Sequence, residues 1–185
     1  MRPSSACASA LALAALGTAP TATGQDAGSR ARGIASATVR EPLRVDALEL
    51  LDFGWVTVPE NASGSVTVSP HPGGSVTFEG TAIGGCEQAG CIPHPAAFAV
   101  RGEPDRQYRI DVPGGLTASG MRAGSVPLAI DRLAVRSASL PEAGSHGRLD
   151  ERGQDRFSVG GTLHIPAGTR GGRYVARLPV MVNYE

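Results

Sequence analysis

Gly172-Arg173-Tyr174-Val175-Ala176-Arg177-Leu178-Pro179-Val180-Met181-Val182-Asn183-Tyr184 closes the chain, one residue before Glu185. Tyr174, Ala176, Leu178, Val180, Val182 and Tyr184 recur at every second position. A period of two puts all of them on one face of a strand. The opposite face holds Arg173, Val175, Arg177, Pro179, Met181 and Asn183, a mixed set. The stretch therefore predicts one long strand over 174–184, opened by Gly172 and buried on a single face. Pro179 removes one ladder donor, which suits an edge position.

The same pattern continues backward from this strand. Short alternating runs bounded by Pro, Gly or Asn occur at 35–40, 43–50, 53–58, 65–69 and 75–79. Further runs lie at 97–101, 107–112, 126–135 and 156–165. Ser65-Val66-Thr67-Val68-Ser69 shows the polar–apolar alternation of a half-buried strand. The segments 97–101 and 107–112 predict a hairpin around Gly102-Glu103-Pro104-Asp105. The stretch 137–154 predicts a polar loop. After the first residues, no stretch of a dozen carries a helical apolar stripe. Short strands at this spacing predict an all-β fold, an immunoglobulin-like β-sandwich following a cleaved signal peptide, with a barrel as the alternative. Phe53, Trp55, Phe98, Tyr108 and Phe157 are the expected core anchors. Gly54, Gly160 and Gly161 are the expected sites of bulges or close backbone approach.

The amino terminus has a different grammar. Arg2 is followed by an apolar run from Ala6 to Leu16, then Gly17 and Pro20. That run is too short to span a bilayer, which takes about 20 residues, but it suits a secretory signal. The small residues Ala22 and Gly24 place cleavage after Gly24, so 1–24 is expected to leave, taking Cys7 with it. Polar 25–34 is expected to be a flexible arm, and 35–185 the folded domain. Two cysteines then remain, Cys86 and Cys91. An even count in an exported chain predicts a disulfide. By the loop-entropy relation a ring this small contributes roughly 2 kcal/mol, enough to stiffen a loop. Two thiolates with His94 would alternatively suit zinc or copper.

Composition excludes several functions. The 17 basic residues are all arginine and balance 17 acidic ones, for a formal net charge of +0. A neutral chain offers no electrostatic case for nucleic acid or an anionic membrane. Without lysine there is no Schiff-base chemistry and no P-loop. No nucleophile elbow, zincin helix, phosphate loop or dinucleotide fingerprint occurs. His71 and His146 fall in loops, and His164 falls in a strand as a half-exposed polar position. Acidic residues are scattered singly, with no pair set for acid–base work. No cofactor, catalytic residue or metal site is expected.

Two resemblances add to this. The alternating last strand, the penultimate Tyr184 and Gly172, fourteenth from the end, resemble the C-terminus of chaperone–usher pilus subunits. That likeness implies an incomplete sandwich whose last strand borders a groove. A periplasmic chaperone, then a like subunit, would fill it with a donated strand. The partner-strand edge would be Gly172, Tyr174, Ala176, Leu178, Val180, Val182 and Tyr184. The same residues also fit the last strand of a closed sandwich. A wider likeness runs from about Ser36 to Tyr184. It is carried by Leu51-Asp52-Phe53-Gly54, by Ala97-Phe98-Ala99-Val100-Arg101-Gly102-Glu103-Pro104, by Phe157 to Leu163 and by the closing strand. These resemble domain-of-unknown-function family 4402, exported bacterial all-β proteins, and imply export and fold without a reaction. The leading expectation is a structural or adhesive, pilin-like module of the periplasm or surface. The alternative is a ligand-binding sandwich, for sugar, or for metal at the loop from Cys86 to His94.

Overall fold

The structure, a computed structural model, describes residues 33–39, 41–85 and 91–185. Signal peptide 1–24 and nearly all of arm 25–34 lie outside that range. Contacts divide the chain into Met1–Thr38 and Val39–Glu185. Of the first unit, 33–38 is described, and it is exposed and joins no strand. The strand expected over 35–40 is thus corrected for residues 35–39, while Arg40 lies outside the described residues. Ala35 and Ala37 carry too little apolar surface to offset the entropy of ordering a strand.

The second unit is all-β, with no helix among the described residues. Its strands are β1 (Arg44–Glu49), β2 (Val56–Thr57), β3 (Gly64–Val68), β4 (Val76–Gly80), β5 (Ile83–Gly84), β6 (Ala96–Arg101) and β7 (Gln107–Asp111). They continue with β8 (Gly115–Gly120), β9 (Leu128–Ser137), β10 (His146–Arg148), β11 (Gln154–Ile165), β12 (Tyr174–Val175) and β13 (Met181–Tyr184). The large sheet runs β1-β6-β11-β9-β8-β12, with β3 and then β4 added beside β11. A three-stranded sheet runs β10-β7-β13, and β2 pairs with β5 as a separate ribbon.

Long β11 organises the large sheet. One edge pairs with β9 along its length. The other edge pairs with β6 over its first half and with β3 over its second. The handover falls at Gly160-Gly161, where the register against β9 also shifts. A side chain at Gly160 would collide with the Val68 carbonyl and lie 2.8 Å from Pro70 N. Only glycine lets the end of β3 come this close, as the sequence led us to expect.

Two apolar clusters fill the unit. The first joins Ala96, Phe98 and Val100 of β6 and Phe157 and Val159 of β11 to Tyr108 and Ile110 of β7. Two sheets thus face one another across it, the layering of a sandwich. Phe98 and Phe157 are cross-strand partners, their rings stacked at 4.9 Å between centroids and 14° between planes. Such a pair contributes about 0.5–1.5 kcal/mol beyond its buried area. The second cluster joins Val66, Ala118, Leu128, Ile130, Leu163 and Ile165, with Phe53, Val56 and Phe78 packed against it.

Several local expectations change. Strands β6 and β7 do not form a hairpin: β6 pairs with β1 and β11, and β7 with β10 and β13. The turn at 102–105 carries the chain from one sheet to the other, because the apolar faces of both strands are needed on opposite sides of the first cluster. The expected loop at 137–154 contains β10, so His146 begins a strand. Trp55 is not a core anchor, being 67% exposed, while Phe98, Tyr108 and Phe157 are buried and Phe53 is half-buried. Val56 takes the inward position on the short ribbon, which turns its neighbour Trp55 outward.

Candidate partner-strand edge

The closing stretch keeps its alternation. Tyr174, Ala176, Leu178, Val180, Val182 and Tyr184 are half-buried, and every residue between them is exposed. It is not one continuous ladder, however. Tyr174–Val175 pairs with β8 at the edge of the large sheet. Met181–Tyr184 pairs with β7 at the edge of the three-stranded sheet. Residues 176–180, Pro179 among them, belong to neither. The segment leaves one sheet and joins the other, and proline sits where no ladder donor is required.

The inward side chains follow the same division. Tyr174 and Ala176 pack on the second cluster, and Leu178, Val180, Val182 and Tyr184 on the first. None of them reaches full burial. Fully burying a Val or Leu side chain contributes ~1.5–3 kcal/mol, so half-burial leaves part of that unrealised. Strand β13 has a neighbour on one edge only among the described residues, leaving its outer backbone groups without a ladder. Gly172 is exposed with open space around it, and the ladder begins two residues later, at Tyr174.

Tyr184 ties this edge to the rest of the unit. Its hydroxyl accepts from the Glu103 N–H at 2.7 Å and donates to the Glu41 carbonyl at 2.9 Å. A side chain at Gly102 would collide with that hydroxyl and lie 2.9 Å from Leu43 Cδ2. The end of β13 and the approach to β1, edges of two different sheets, therefore meet at one glycine. Arg106 lies 5.5 Å above the Tyr184 ring and donates to the Glu185 carbonyl at 3.2 Å.

A second tyrosine locks the interior. Tyr108 is fully buried, and its hydroxyl donates to Asp155 Oδ2 at 2.9 Å. Ser139 donates to the same oxygen. Burial first, then the Asp155 charge and the hydrogen bond it accepts, hold the Tyr108 phenol far above its ordinary range. Near neutral pH it is a neutral donor that ties β7 to β11.

Cys91 is disulfide-bonded, while Cys86, the partner expected for it, lies outside the described residues. The Cys91 carbonyl accepts from Trp55 N–H at 3.4 Å. Gly54 adopts a positive φ of 68° beside it, so close to that carbonyl that a side chain would collide. His94 pairs with Asp52 through two backbone hydrogen bonds of 2.9 and 3.0 Å. Among the described residues no group of three or more His, Cys, Asp or Glu is placed to hold a metal ion. No described helix is long and apolar enough to cross a membrane.

One polar group escaped sequence reasoning. Glu79, Ser65 and His164 come from three strands and stand in one row, because Ser65 is the register partner of both others. His164 Nε2 lies 2.9 Å from Asp131 Oδ1. The residues are far apart in the chain, and only strand register reveals the row.

Comparison with curated proteins and with solved structures found no match. Residues 43–184 match the family described as Domain of unknown function (DUF4402), and the chain belongs to that family.

Proposed function

We propose that this protein is an exported structural subunit, pilin-like and without catalytic activity, working in the periplasm or at the cell surface. Its edge along 174–184 accepts an extended strand, first from a periplasmic chaperone and then from a like subunit. One observation carries this reading. The inward residues of the closing segment alternate without fault yet stay half-buried, and its last strand, β13, is laddered on one side only among the described residues. An added strand would complete both the hydrogen bonding of β13 and the burial of Leu178, Val180 and Val182.

The test is expression of the unaltered domain alone, compared with co-expression beside a cognate periplasmic chaperone. An incomplete sandwich is unstable or oligomeric alone and is rescued by the chaperone. A stable monomer with a cooperative melt means the sandwich is complete by itself. The pilin reading then gives way to a self-contained surface module.

A further inference from the structure

On the outer face of the large sheet, an open cavity of about 470 Å³ lies over the row Glu79–Ser65–His164. Glycines 64 and 80 line it without side chains, and Pro127 and Pro166 stand at its margin. We propose that it is a binding site for an organic cation bearing N–H donors, a guanidinium or ammonium group. The proposal is independent of the strand-accepting edge, which lies on other strands.

The argument is an inventory of donors and acceptors. His164 Nε2 faces Asp131 Oδ1 at 2.9 Å, a contact that the Nε2–H tautomer of the ring makes as donor to the carboxylate. That tautomer leaves a lone pair on Nδ1. The Ser65 hydroxyl spends its hydrogen on Glu79 Oε2 at 3.4 Å. The donors of the row are therefore committed, and what remains is acceptors: both Glu79 oxygens, the Ser65 lone pairs and His164 Nδ1. Glu79 brings one formal negative charge to the wall, and Asp131, outside the lining, contacts His164 at 2.9 Å. No arginine among the described residues lines the cavity.

Each class of ligand meets this wall differently. An anion is repelled by Glu79. A neutral polyol can donate hydroxyl hydrogens to Glu79 but brings no charge to meet the carboxylate. A guanidinium or ammonium group brings donors and positive charge together, and charge-assisted hydrogen bonds to carboxylate are the strong ones. Ser65, 8% exposed, is the buried floor of the row, and Glu79 is its exposed arm.

The experiment is NMR titration of the full chain with methylguanidinium, ethylammonium and the tripeptide Gly-Arg-Gly. Methyl glucoside and sodium chloride at matched ionic strength are the controls. Saturable shifts are expected at Ser65, Glu79 and His164, with a dissociation constant on the order of 1 mM. Glu79→Gln, an exposed substitution, should weaken binding about tenfold while leaving the melt unchanged. Binding of the tripeptide alone would identify a protein arginine as the source of the cation, and binding of all three a free amine or guanidine. Shifts that do not saturate, that saturate with an unchanged midpoint in Glu79→Gln, or that sodium chloride or methyl glucoside reproduces would overturn the proposal.

Discussion

The hydroxyl of Tyr184 accepts a hydrogen bond from the backbone N–H of Glu103 at 2.7 Å, joining residues 81 positions apart. The same oxygen donates to Glu41. A penultimate side chain thus pins together the last strand, the turn between the two sheets and the approach to the first strand.

Tyr184→Phe should remove both hydrogen bonds while keeping the ring beneath Arg106 and against the first cluster. The Glu103 N–H and the Glu41 carbonyl lose their partner, at a cost of about 1–2 kcal/mol. Urea denaturation should show a lower midpoint with an unchanged slope. Wild-type stability in this variant would mean that water replaces the hydroxyl fully.

Tyr108 makes the unit sensitive to alkali. Its pKa is raised on folding, so the protein binds this proton more tightly than the unfolded chain does. The contribution is fully present below the ordinary phenol value of 10.0 and is lost as pH rises beyond it. Ultraviolet titration should show that one of the three tyrosines ionises only as the protein unfolds. Tyr108→Phe should abolish that late step. Ionisation of all three in the native protein would contradict the placement.

Gly160→Ala tests the crossing at the middle of β11. The new methyl would collide with the Val68 carbonyl and with Pro70, and neither backbone can withdraw without breaking the β3 pairing. A loss of more than about 2 kcal/mol is expected, from overpacking and displaced hydrogen bonds. Gly172→Ala, in open space, serves as the control and should change stability by less than about 0.5 kcal/mol.

Trp55 is the sole tryptophan and is 67% exposed. Native fluorescence should therefore resemble that of free indole and be quenched by iodide before any denaturant is added. Trp55→Ala should change stability by no more than about 0.5 kcal/mol. A blue-shifted, protected emission would show that the ring is covered.

The alternation of 174–184, the glycines that permit close approach and the apolar character of Phe98, Tyr108 and Phe157 were all legible in the residues. They express local chemistry: side chains alternate along a strand wherever it lies, and a position crowded by backbone tolerates only glycine. For the same reason the all-β class and the family resemblance were legible too. Pairing was not. That β6 and β7 belong to opposite sheets, that the last strand is shared between two, and that Trp55 faces outward all depend on which faces meet across the first cluster. The candidate edge could be named from its alternation, but its half-burial and one-sided ladder could not. The row Glu79–Ser65–His164 had no local signal at all, since strand register alone brings those three residues side by side. A chain carries its own periodicity in its residues, whereas the choice of partner is made by packing, through contacts between residues tens of positions apart.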